Sequence, residues 1–182
     1  CLLDFSERFS QVLQQTWGYN TDGNLDREGS LVFYLGGSVS EETSVCFEGG
    51  IYSFYVYERG ERGNPLIQSS RLNVMEHCLT LKYANSFRIK RGFLPLHLYR
   101  TIRMHVEWSL IPVDSKPWHG FSGIRRNTGV FVPCRTTDDD LLSSLSYVVE
   151  YSPLDVLECY LRPDAGPLLS QWVDREWKPE EG

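Results

Sequence analysis

The sequence predicts a single mixed α+β domain. Its elements are an N-terminal amphipathic helix, a curved antiparallel sheet or open barrel of about seven or eight strands, and two or three C-terminal helices. Three observations predict it. Apolar residues recur at three- and four-residue intervals over 2–17, apolar and polar residues alternate over 97–111, and a run of aspartates opens an apolar helical pattern after residue 137. A period near 3.6 marks a helix with one buried face, and a period of two marks a half-buried strand.

In chain order, Leu2, Phe5, Phe9, Val12, Leu13 and Trp17 line one helical face, with Glu7, Arg8, Gln11 and Gln14 largely on the other. Gly18, Asn20, Asp22 and Gly23 stop that helix. Residues 31–35 (LVFYL) read as a short apolar strand. Ser44 to Glu58 reads as a hairpin turned at Gly49-Gly50, because two glycines supply the positive φ angles of a tight turn. A polar turn over Arg59–Pro65 leads into expected strands at 66–74, 78–83 and 86–90.

The stretch His97–Ile111 places Leu98, Arg100, Ile102, Met104, Val106, Trp108 and Leu110 on one face. His97, Tyr99, Thr101, Arg103, His105, Glu107 and Ser109 fall on the other. This predicts one long strand, buried on the first face and wet on the second, with Arg100 interrupting the apolar row. At roughly 3.3 Å per residue it would run about 50 Å if straight, so a bend or bulge around a curved sheet is implied. The glycine-rich stretch His119–Gly129 reads as a surface loop and 129–133 as a strand. Thr137-Asp138-Asp139-Asp140 opens a helix with carboxylates at the positive end of its dipole, and Leu141, Leu142, Leu145, Val148 and Val149 form its apolar face. Ser152-Pro153 starts a second helix to about Leu161, and a third, short one is expected near 167–177. No repeat or linker divides the chain, so residues 1–182 read as one domain, and a start at Cys1 reads as the edge of a segment excised from a longer chain.

Composition narrows the class. Hydrophobic residues at 41% and charged residues at 23% are ordinary globular values, and nine Phe, ten Tyr and five Trp suit both a core and a binding surface. No apolar run approaches the roughly 18 residues of a membrane-spanning helix. The five cysteines are scattered, without metal-ligand spacing, and no Asn-x-Ser/Thr sequon occurs. That pattern predicts buried thiols in a reducing, cytoplasmic or nuclear setting, with no cofactor and no structural metal.

Charge is segregated along the chain. Residues 1–81 carry 5 Lys/Arg against 11 Asp/Glu, residues 82–135 carry 10 against 2, and residues 136–182 carry 3 against 11. Either the basic middle lies beside the acidic ends and is neutralised there, or it gathers on one exposed face. In the second case Arg88, Lys90, Arg91, Tyr99, Arg103, Arg125 and Arg126 would form a surface for nucleic acid, phosphate or an acidic partner. Arg100 reads either as a rim side chain or as an anion anchor inside a pocket.

No catalytic constellation stands out. Adjacent His77 and Cys78 would point to opposite faces of a strand. His105 and Glu107 share a face as a base and its orienting carboxylate could. The sequence therefore predicts a non-catalytic interaction or assembly domain that binds a protein partner, with Trp172 and Trp177 as a docking edge. The alternatives are a nucleic-acid- or phosphate-binding domain using 82–135, RNA included, and a small-ligand carrier or enzyme with a pocket between sheet and helices.

Overall fold

Gly49 and Gly50 sit at φ 57° and 83°, and this turn folds strand β2 (Glu42–Glu48) back on β3 (Ile51–Glu58) as the glycine pair predicts. The computed structural model describes residues 31–34, 42–58, 61–98, 104–113 and 119–176. Strand β1 (Leu31–Tyr34) pairs with β2, and the two-residue β4 (Glu61–Arg62) pairs with the end of β3. Beyond these come β5 (Ile67–Ser69), β6 (Trp108–Pro112), β7 (Phe121–Arg126) and β8 (Phe131–Thr136). All eight join one antiparallel sheet in the order β1-β2-β3-β5-β8-β7-β6, with β4 hung on β3. The sheet is open, not closed into a barrel. The expected helix over 2–17 lies outside the described residues.

The described residues form three α-helices, α1 (Leu72–Lys90), α2 (Asp139–Val148) and α3 (Pro153–Tyr160); α1 and α2 pack on the sheet and α3 packs against α1. The start of α2 follows its sequence, since the Asp138 carboxylate accepts a 2.9 Å hydrogen bond from the Leu141 amide. Pro153 occupies the first turn of α3, where its missing N–H costs nothing. The expected third helix shrinks to a single 3₁₀ turn at Ser170–Trp172.

Helix α1 replaces most of the strands expected over 66–90; only Ile67–Ser69 is extended. The physical reason is burial on every side. Residues 74–80 are all buried, because β5 and β8 lie beneath the helix while α2 and α3 lie against it. A helix covered all round shows no amphipathic period for the sequence to betray. The chain therefore runs strands, helix, strands, helices, and α1 interrupts the sheet in sequence.

The long strand expected over 97–111 is also corrected. Residues 104–107 turn instead, and pairing begins at Trp108. The His105 amide is taken by Ser146 Oγ on α2 at 3.1 Å, and the His105 carbonyl accepts from the Trp108 amide at 2.8 Å. Met104, Trp108 and Leu110 pack on the core as the alternation demands, but Val106 between them is 75% exposed. The loop expected over 119–129 is mostly strand β7.

Candidate functional site

The tip of the β7–β8 hairpin places Arg126. Its amide donates to the Val130 carbonyl at 2.8 Å, and its carbonyl accepts from Gly129, which holds φ 94°. The Asn127 amide donates to the Glu107 carbonyl at 2.8 Å, so the residues leading into β6 are tied to the same tip. The Arg126 guanidinium then reaches Glu107 Oε2 through Nε at 3.2 Å and Nη2 at 2.5 Å. Its Nη1 meets Glu150 Oε1, just beyond the end of α2. Hydrogen bonding to Glu107 is the main cause that raises the Arg126 pKa above its ordinary value. One guanidinium thus joins two carboxylates from distant parts of the chain.

Exposed apolar side chains neighbour this cluster along the chain or across the hairpin. Six large ones are exposed among the described residues, and three of them are Val106 at 75%, Val130 at 52% and Tyr151 at 45%. Val106 adjoins Glu107, Tyr151 adjoins Glu150, and Val130 bonds the Arg126 backbone. The frame beneath is fixed. The Tyr151 amide donates to Val148 at 2.9 Å, and its carbonyl lies 3.2 Å from Nε2 of buried His77.

The described basic residues expected on one face have different surroundings. Arg88 is fully buried, a correction to its reading as a binding residue. Its guanidinium donates to four carbonyls, those of Leu94 (2.7 Å), Tyr160 (3.0 Å), Arg162 (2.6 Å) and Pro163 (2.9 Å). It clamps the end of α1 to the end of α3, and burial holds its pKa below the usual guanidinium value. Lys90 and Arg91 are exposed at the end of α1, Arg91 over the Phe87 ring at 5.1 Å. Arg125 is exposed on β7, 5.8 Å from the centre of the Phe131 ring. Arg126 is paired as described, and Lys82 reaches Asp138 at 3.9 Å. At Lys82 and Arg126 the basic middle meets acidic groups across packed elements. Tyr99, Arg100, Arg103 and Trp177 lie outside the described residues. Trp172 packs edge-on against Tyr147, with ring centres 5.1 Å apart, and belongs to the shell around the core.

The residues weighed for catalysis are used otherwise. The Glu107 carboxylate turns to Arg126, whereas the His105 ring meets Tyr147 edge-on at 5.3 Å. His77 and Cys78 are both buried on α1, and Cys78 Sγ lies 3.5 Å from Cys134 Sγ. His97 Nδ1 and Asp174 Oδ2 are 2.7 Å apart beside a cavity of about 280 Å³ that Ser144 also lines; no hydrogen bond links Ser144 to His97. Among the described residues no group of three or more His, Cys, Asp or Glu could hold a metal. No described helix is long and apolar enough to cross a membrane.

Sequence reasoning found Arg126 but missed its partners. Glu150 is 24 residues away, and nothing local marks it. Val106 was hidden inside an alternation that assigned it to the buried face.

Comparison with known proteins adds a family and a fold. The model of a family described as Immunity protein 61 matches residues 17–168. Among curated proteins none matches the sequence. The chain is similar to a solved structure described as Rv3902c from M. tuberculosis, with a TM-score of 0.73 at 18% identity, over 94% of this chain and 97% of that one. At that identity the likeness shows the fold alone.

Proposed function

This chain belongs to the Immunity protein 61 family, and from that premise we propose that it protects by binding a partner protein, a toxin, through the face around Arg126. One observation carries the choice of face: Val106, Val130 and Tyr151 are exposed next to residues of an ion cluster that links the turn before β6, strand β7 and the residues after α2. Protection of this kind needs occlusion, not chemistry. Tyr and Arg are among the side chains that most often dominate such contacts: Tyr buries much area with few rotatable bonds, and Arg presents several donors in one planar fork. Arg126 enters an interface already hydrogen-bonded, so covering it strands no lone charge. The His77 contact and the hairpin tip hold the face in place before binding, which lowers the ordering cost. The buried thiols of Cys46, Cys78, Cys134 and Cys159 support a reducing compartment as the site of action.

The test is growth rescue from an inducible toxin. The wild-type chain should restore growth and co-purify with the toxin. Val130→Asp combined with Tyr151→Ala should abolish both while leaving the melting temperature within a few degrees of wild type, since exposed side chains contribute at most about 0.5 kcal/mol each. Rescue by the double variant would move the docking surface elsewhere on the molecule.

A further inference from the structure

Building on that proposed docking face, we infer the kind of partner surface it takes: an apolar patch presenting one cationic side chain, Lys or Arg, to Glu107 and Glu150. Arg126 brings one positive charge to two carboxylates, so the cluster retains an excess negative charge. It engages only Oε2 of Glu107 and Oε1 of Glu150, which leaves the second oxygen of each carboxylate open to a donor. Both carboxylates are more than a third exposed, so a partner group can reach them. Arg125, the next cation along β7, is committed to the opposite face by strand alternation and lies over Phe131.

A neutral or acidic partner would cover this excess charge without compensating it, and a desolvated carboxylate without a partner is costly. A second copy of this chain brings the same excess and a formal net charge of −6, so the two faces repel. A cation ringed by apolar groups satisfies both halves of the surface. Val106, Val130 and Tyr151 take the ring, and the open carboxylate oxygens take the charge.

The probe is a pair of capped tripeptides, N-acetyl-Leu-Arg-Leu-amide and N-acetyl-Leu-Glu-Leu-amide, titrated into the ¹⁵N-labelled protein. The amides of Val106, Glu107, Arg126, Val130, Glu150 and Tyr151 should shift with the arginine peptide, at an affinity at least about fivefold above that for the glutamate peptide. Glu150→Gln should weaken the arginine peptide about fivefold, and Arg126→Gln should tighten it. A general disturbance of the fold would not give those opposite signs. Equal response to the two peptides, response confined to other surfaces, or no response overturns the inference. The growth-rescue test is independent of it: rescue lost in the Val130→Asp, Tyr151→Ala variant, with no arginine preference, keeps the face and discards the cation.

Discussion

The Nε2 atom of His77 lies 3.2 Å from the carbonyl oxygen of Tyr151, so the imidazole must donate from Nε2, and its buried Nδ1 is a lone pair without a partner. Burial lowers the pKa of this ring from 6.5 to about 4, only partly offset by the hydrogen bond to Tyr151. Between about pH 6.5 and 4 the unfolded chain binds a proton at this site that the folded chain does not, so stability falls as the pH drops through that window and returns as it rises. The loss should total on the order of 3 kcal/mol by pH 4. Urea midpoints measured from pH 7 to 4 should show this slope in the wild type and a flatter one in His77→Gln. An unchanged slope in the variant would assign the acid sensitivity to other groups.

Arg88 offers a second measurement. Four carbonyls from two chain segments converge on one buried guanidinium, and no other side chain type supplies that planar set of donors. Arg88→Met strands the carbonyls, and Arg88→Lys meets them with a point charge of the wrong shape. Both should lower stability by roughly 3–5 kcal/mol in chemical denaturation. A lysine variant within about 1 kcal/mol of wild type would show that charge, not geometry, holds the clamp.

Gly123 tests the sheet. Its φ is 150°, and a Cβ there would come 2.1 Å from the Val132 carbonyl oxygen and 2.9 Å from the Cys134 nitrogen. Both are backbone atoms of β8 and cannot give way without breaking the register beside the β7 irregularity at Phe121/Gly123. Gly123→Ala should therefore cost about 3 kcal/mol or more, or prevent folding. Gly63→Ala, whose Cβ would meet only the Val56 carbonyl at 3.5 Å, is the control and should fold normally with a nearly unchanged melting temperature.

What was legible in the sequence is what neighbouring residues decide. The Gly49-Gly50 turn and the Asp138 cap are local chemistry, and both stand where the sequence places them. Helix α1 was illegible because residues 74–80 are covered from every direction, and a covered helix resembles a run of buried strand. The turn at 104–107 was illegible because its bonds come from Ser146 and Asn127, far along the chain, while the alternation on either side of Val106 continues through it. The cluster around Arg126 shares that difficulty. Arg126 announces a charge, but only the fold brings Glu107 and Glu150 to it. Arg88 stands as the converse case, a cation whose sequence neighbours suggest a surface and three of whose four partners lie more than seventy residues away.

Strand β5 is three residues long, yet in the strand order it alone joins the β1–β3 ladder to the β8–β6 ladder. It meets β3 at three paired positions and β8 at two, Ile67 with Thr136 and Gln68 with Arg135. Tension drawn across the sheet passes through that seam, and the shorter ladder parts first. Helix α1 touches both β5 and β8, so it acts as a splice laid over the joint. The mechanical strength of the molecule is set by this small strand and its splint, not by the longer hairpins on either side.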